Sequence, residues 1–170
     1  SPSTLLGIHR HLFTDVFPEE IPVGKFRKVN ITKKEPVLDG DTVQYSSHFM
    51  IQDALAYDFE REQNFSYASL TNEQKTLHAM TFLADIWQVH PFREGNTRTV
   101  AVFGIQYLRK LGFHIDNSLF SEHAAYFRNA LVLYHYQGEK QDKQFLKMFF
   151  ENLLLGKKNV LLDEDMYAKE

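Results

Sequence analysis

Apolar side chains recur every three or four residues through most of this chain, and that period decides the fold class before any other feature does. Leu5, Ile8, Leu12, Phe13 and Val16 share one face of a helix expected over residues 3–17, capped by Ser3 or Thr4 and stopped by Pro18. Ile51, Leu55 and Phe59 mark a second over residues 47–63, with Ser47 as its cap. Leu77, Met80, Leu83, Ala84 and Trp87 follow a capping box from Thr71 to Gln74. That helix should end near His90, because the residue before a proline is pushed out of helical geometry. Val100, Phe103, Tyr107 and Leu111 define another from about Asn96, with Gly112 as its stop. Two more are expected over residues 121–136 and 141–155, the latter stopped by Gly156. The period changes only in residues 26–45. Phe26, Val29, Ile31 and Thr32 suit one short strand, and Thr42, Val43 and Tyr45 suit another, with Pro36 and Asp39-Gly40-Asp41 turning between them. The expectation is an all-α bundle with one β-hairpin.

Composition then excludes whole classes. With 44% hydrophobic and 14% aromatic residues, the 170-residue chain is too apolar for disorder and long enough for one buried core. It has no cysteine, which removes disulfides, thiolate zinc sites and a cysteine nucleophile, and fits a reducing compartment such as the cytoplasm. A net charge of −3 argues against nucleic acid as a primary partner. No apolar run approaches the roughly 20 residues that span a bilayer, so no membrane partner is expected. His9 and His11 lie two apart, point to different sides of their helix, and read as surface or interface histidines rather than a metal pair.

One stretch concentrates chemistry. His90-Pro91-Phe92-Arg93-Glu94-Gly95-Asn96-Thr97-Arg98 joins two apolar helices and brings together a base, an acid, a glycine, an amide and arginines. It delivers backbone to a helix N-terminus, where unpaired N–H groups and the helix dipole form an anion site. Gly95 permits close approach of that backbone to an anion. Arg98 in the first turn opposes the macrodipole, which points to a bound anion that it answers. Glu94 offers a hard oxygen ligand for Mg²⁺ shared with phosphates, and His90 can take a proton from a hydroxyl near neutral pH. The bland alternative is a plain helix–helix linker. There is no GxxxxGK[ST] phosphate loop.

These nine residues resemble the signature of Fic-domain proteins, HxFx(D/E)GN(G/K)R. Residues 7–13, 24–31 and 126–131 also resemble that family's leading helix, flap start and following helix. The resemblance implies one Fic-like domain over residues 4–156, with a flap at 26–45 and a tail at 157–170. It implies transfer of AMP from ATP to a Ser, Thr or Tyr hydroxyl of a target protein, with release of pyrophosphate. His90 would be the general base and Glu94 the holder of Mg²⁺ (or Mn²⁺). Gly95, Asn96 and Thr97 would line the anion hole, Arg98 would neutralise the outer phosphates, and Pro91 and Phe92 would anchor the loop. Val29, Asn30 and Ile31 would pair with an extended stretch of the target by strand addition.

Two departures matter. Thr97 stands where the family has Gly or Lys, and Ala101 where a second arginine usually lies. Residues 147–152 resemble the family's inhibitory helix, [S/T]xxxE[G/N], with Lys147 at the Ser/Thr place, which makes Glu151 and Asn152 inhibitory candidates within residues 141–155. The resemblance leaves two alternatives: a deAMPylase that removes AMP from a modified protein, and a catalytically weak domain that binds nucleotide or partner. A homo-oligomer, and delivery into another cell as a secreted effector, are compatible with it.

Overall fold

The structure is a computed structural model that describes residues 1–167. Among the described residues there are seven helices: α1 (Pro2–Phe13), α2 (Ile51–Gln63), α3 (Asn72–Val89), α4 (Asn96–Lys110), α5 (Ser118–Glu122), α6 (Ala124–His135) and α7 (Gln144–Leu155). Single 3-10 turns lie at Pro36–Leu38, His48–Met50 and Asp163–Met166.

α3 is the central element. It buries Thr76, Ala79, Met80, Phe82, Leu83, Ala84, Ile86, Trp87 and Val89, and packs against α2, α4, α6 and α7. A helix buried on so many sides is fixed by its neighbours, so its C-terminal end is a firm platform. The start is fixed too: Thr71 accepts from the Gln74 N–H, and the Gln74 side chain returns the bond to the Thr71 N–H, the expected capping box. α7 closes the bundle through Leu146, Phe149, Phe150 and Leu153. Residues 157–167 fold back onto the bundle, with Asn159 bonded to α7 and the Asp163–Met166 turn packed on α6, which buries Leu161 and Met166.

Several helix limits differ from the sequence expectation: Ser1, not Ser3 or Thr4, precedes α1, and residues 48–50 form a separate 3-10 turn before α2, with no cap bond from Ser47. α1 stops at Phe13, not at Phe17, and Asp15 takes a left-handed conformation (φ 64°). The early stop lets Phe17 fold back and stack on Phe13 at 4.7 Å, and it leaves Val16 exposed. The helix expected over residues 121–136 breaks at His123 into α5 and α6. α7 begins at Gln144 because the Asp142 carboxylate accepts the Gln144 N–H at 2.8 Å and holds the preceding turn open.

The hairpin is the main correction: no strand forms among the described residues. Residues 26–45 follow an irregular path, closed at its tip by Glu35 N–H to Asp41 O and Gly40 N–H to Glu35 O around the Pro36–Leu38 turn. The reason lies in Arg27. Its buried guanidinium donates to the carbonyls of Val29 (2.8 Å), Ser46 (2.5 Å), His90 (2.6 Å) and Val89 (3.2 Å). It thereby takes carbonyls at both ends of the segment. Thr42 competes similarly, accepting the Lys33 N–H and donating to the Val43 carbonyl. Val37, Leu38 and Val43 are buried while Val29 is exposed, so the turn and its return limb carry the packing.

Candidate functional site

α3 ends at His90 in the left-handed region (φ 53°, ψ 61°), an uncommon place for a side chain with a Cβ and the kind of strain that collects at functional sites. His90 Nδ1 lies 2.9 Å from the Trp87 carbonyl. A carbonyl only accepts, so Nδ1 carries the proton and Nε2 keeps its lone pair. Nε2 is buried and has no partner among the described residues. Burial, then the nearby Lys33 ammonium, holds the imidazole well below its usual pKa and therefore neutral.

The loop is braced from within. Asn96 accepts the Phe92 N–H at 2.9 Å and donates to the Phe92 carbonyl at 2.8 Å, so its side chain positions the loop, while its backbone opens α4. The first bond closing α4 runs from Thr99 N–H to the Gly95 carbonyl. The amides of Asn96, Thr97 and Arg98 thus precede the helical ladder and remain for an anion. Gly95 sits at φ 85°, and a Cβ there would meet Phe13 Cε2 at 2.4 Å, so the position excludes any larger residue twice over. Thr97 Oγ1 accepts the Trp87 indole N–H at 2.8 Å, tying this residue to the core. Pro91 is buried and its carbonyl accepts the Arg27 N–H. Arg98 is exposed, its guanidinium 6.0 Å from the Phe13 ring centroid.

Behind the loop stands His9. It is fully buried, with its ring stacked on Phe92 at 3.9 Å and 7°. Its Nδ1 accepts the Gly24 N–H at 2.9 Å and its Nε2 donates to the Glu94 carbonyl at 2.8 Å. The expectation of a surface histidine is therefore corrected. The missed signal was periodic: Leu5, His9 and Phe13 are spaced by four, which puts His9 inside the apolar stripe.

In front of the loop lies segment 33–45. The Tyr45 ring stacks on His90 at 3.9 Å, and its buried hydroxyl has no partner among the described residues. Burial pushes the Tyr45 pKa up, so the hydroxyl stays protonated. Glu35, almost wholly buried, takes a two-pronged bond from Arg128 of α6 at 2.5 and 2.8 Å. Lys33 Nζ lies 3.8 Å from the half-exposed Glu94 carboxylate. Neither Arg128 nor Glu35 was singled out from the sequence.

Among the described residues no three His, Asp, Glu or Cys side chains converge on one point. Glu94 alone still suits Mg²⁺, which takes few protein oxygens and draws the rest from phosphate and water; the carboxylate is open to solvent and already faces a cation. Val29 and Asn30 are exposed and Ile31 half-buried, and the Asn30 side chain accepts the His48 N–H. Val29 also borders a cleft of about 770 Å³, shared with Arg93 and the loop over residues 15–28. Glu151 is bound to Lys157 (2.8 Å) and Asn159 (3.2 Å), and Asn152 to the Asn159 backbone. No hydrogen bond or ion pair joins either residue to residues 90–98 among the described residues.

The geometry has known counterparts. The chain is 31% identical over 112 residues to the protein adenylyltransferase VbhT of Bartonella schoenbuchensis, covering 64% of this chain and 21% of that protein. It is 31% identical over 122 residues to the probable protein adenylyltransferase y4lH of Sinorhizobium fredii, covering 66% of this chain and 54% of that one. It therefore spans between a fifth and about half of the length of these curated relatives. Among solved structures it resembles the type IV secretion system effector protein BepA (TM-score 0.65, 25% identity, 89% of this chain and 52% of that one). It shares its fold with the BepC protein of Bartonella tribocorum, solved with bound AMPPNP (TM-score 0.65, 22% identity, 89% of this chain and 72% of that one). A family profile, Fic/DOC, matches residues 1–108, which takes in the buried His9 of α1, the whole His90–Arg98 loop and most of α4, and the chain belongs to that family.

Proposed function

We propose that this domain transfers AMP from ATP to a Ser, Thr or Tyr hydroxyl of a target protein. The observation that carries the reading is the tautomer of His90: Nδ1–H held by the Trp87 carbonyl leaves Nε2 as a free base beside a helix N-terminus. The target hydroxyl gives its proton to Nε2 as its oxygen bonds the α-phosphorus. The bond from that phosphorus to the bridging oxygen breaks, and pyrophosphate leaves. The amides opening α4, with Arg98, receive the phosphate oxygens. Glu94 would hold a divalent ion, Mg²⁺ or Mn²⁺, which supplies charge neutralisation for the phosphates. The target would dock along Val29, Asn30 and Ile31 and the adjoining cleft. The Arg27 guanidinium already takes the Val29 carbonyl, so main-chain pairing has one acceptor fewer there. The reaction belongs where ATP is present, in the cytoplasm of the producing cell or of a cell that receives the protein. No helix among the described residues is long and apolar enough to cross a membrane.

Nε2 is buried and the Tyr45 ring stacks on the imidazole, so a hydroxyl reaches it only when that cover moves. Restraint by Glu151 requires it to leave Lys157 and Asn159 and approach the loop; equal labelling by parent and Glu151→Gly would remove that role.

The test is incubation with ATP labelled at the α-phosphate and Mg²⁺, alone and with lysate. Protein-bound label should fall by about 10²-fold or more in His90→Ala. Label that is indifferent to His90 would sink the base assignment. Nucleotide bound without any transfer by the parent would leave a binding domain.

A further inference from the structure

We infer that His9 is a positioning residue for Glu94, setting the loop backbone at that residue and through it the carboxylate. The inference rests on the reading that Glu94 holds a divalent ion. Three separate pieces of chain meet at this one ring: α1, which carries it; Gly24, just before the segment over residues 26–45; and the motif loop at Glu94. A backbone N–H can only donate and a carbonyl can only accept, so both ring nitrogens are assigned. Nδ1 is bare toward Gly24 and Nε2–H points to Glu94. The ring is neutral, and its proton is placed opposite to that of His90.

The ring cannot drift, because Phe92 stacks on one face and Phe13 lies against it at 5.0 Å. Nor can the Glu94 peptide rotate freely. The next residue, Gly95, is held by its left-handed backbone against Phe13, and the bond to His9 fixes the carbonyl before it. A loop of six residues between two helices contains Gly95, whose freedom would otherwise let the Glu94 peptide flip. The bond from Nε2 removes that freedom, as outer partners of metal-binding side chains generally do.

A purely packing role makes a different forecast from a positioning role. Asn at residue 9 keeps a polar atom near the Nδ1 position and serves Gly24, but falls short of Glu94. Gln reaches the Nε2 position and serves Glu94, but leaves Gly24. Both lose the ring. Binding of Mn²⁺ by parent, H9N and H9Q, each with a non-hydrolysable ATP analogue, is read from the electron paramagnetic resonance of the free ion. We expect H9N to bind Mn²⁺ roughly tenfold or more weakly, with H9Q close to the parent. Equal loss in both variants, or none in either, overturns the inference. A parent that binds the analogue but no Mn²⁺ overturns the Glu94 reading beneath it, and this inference with it.

A second measurement needs no variant. In the parent labelled with ¹⁵N-histidine, His9 should appear as the Nε2–H tautomer, and its Nε2 resonance should shift when Mg²⁺ joins the analogue-bound protein. The opposite tautomer, or a resonance blind to Mg²⁺, overturns the inference even if the variants fail to fold.

Discussion

The His90–Arg98 loop is held by two contrasting surfaces. Behind it, every polar atom of His9 and of the Asn96 amide oxygen is matched, and the rings of Phe92 and Phe13 fill the space. In front, the Tyr45 hydroxyl and His90 Nε2 are buried and, among the described residues, unmatched, and the cover is fastened by ion pairs from Arg128 and Lys33. An unmatched buried polar atom costs about 1–3 kcal/mol, which uncovering returns. The rear is therefore a fixed mount. The front is a cover whose removal recovers part of its own cost.

The hardest blow to this contrast falls on the rear. Asn96→Ala leaves the Phe92 N–H and carbonyl buried without partners, and should cost about 2–4 kcal/mol of unfolding free energy in urea. A loss near zero would mean the loop is not mounted as described.

Acid tests the front next. Burial lowers the His90 pKa in the covered state, while an unfolded chain has a histidine near 6.5. The covered state's advantage is complete above about pH 6.5 and declines as pH falls below it, by up to about 1.4 kcal/mol per pH unit. The unfolding free energies of parent and His90→Gln should converge or cross in that direction between pH 7 and 5. Asp58, pushed up to about 6 by burial, acts in the opposite sense but equally in both proteins. A constant difference would show that His90 is not kept neutral by its cover.

The mildest test moves the cover both ways. Glu35→Gln weakens the Arg128 fastening. Because Arg128 is partly exposed, the expected shift is about 1–2 kcal/mol, or roughly tenfold faster ethoxycarbonylation of His90 by diethyl pyrocarbonate, followed by mass spectrometry. Tyr45→Phe removes an unmatched hydroxyl and should slow the same labelling by about fivefold. Shifts of the same sign would break the contrast.

The rear surface is partly legible in the sequence and the front is not. The motif residues announced themselves by type and spacing, and Gly95 and the capping box at Thr71 lie where spacing puts them. His9 stood in the apolar stripe, yet a lone histidine carries no periodic weight, and its bonds to Gly24 and Glu94 join residues 15 and 85 apart. The front differs because short-range pattern favours strands over residues 26–32 and 42–45. One buried arginine then took the carbonyls at both ends of the segment. The Glu35–Arg128 pair spans 93 residues, beyond anything local pattern reports.

That arginine has a consequence for how such a domain can diversify. Its planar fork holds Val29 and Ser46 together while gripping the end of α3, so residues 30–45 leave and rejoin the molecule through a single neck. Inside that neck the chain is of two kinds: Glu35, Val37, Leu38, Val43 and Tyr45 are tied to the core, to Arg128 and to His90, and are not free to change. The exposed positions between them can vary while the His90–Arg98 loop keeps its mounting, because the guanidinium reads only backbone oxygens and is indifferent to the side chains that follow.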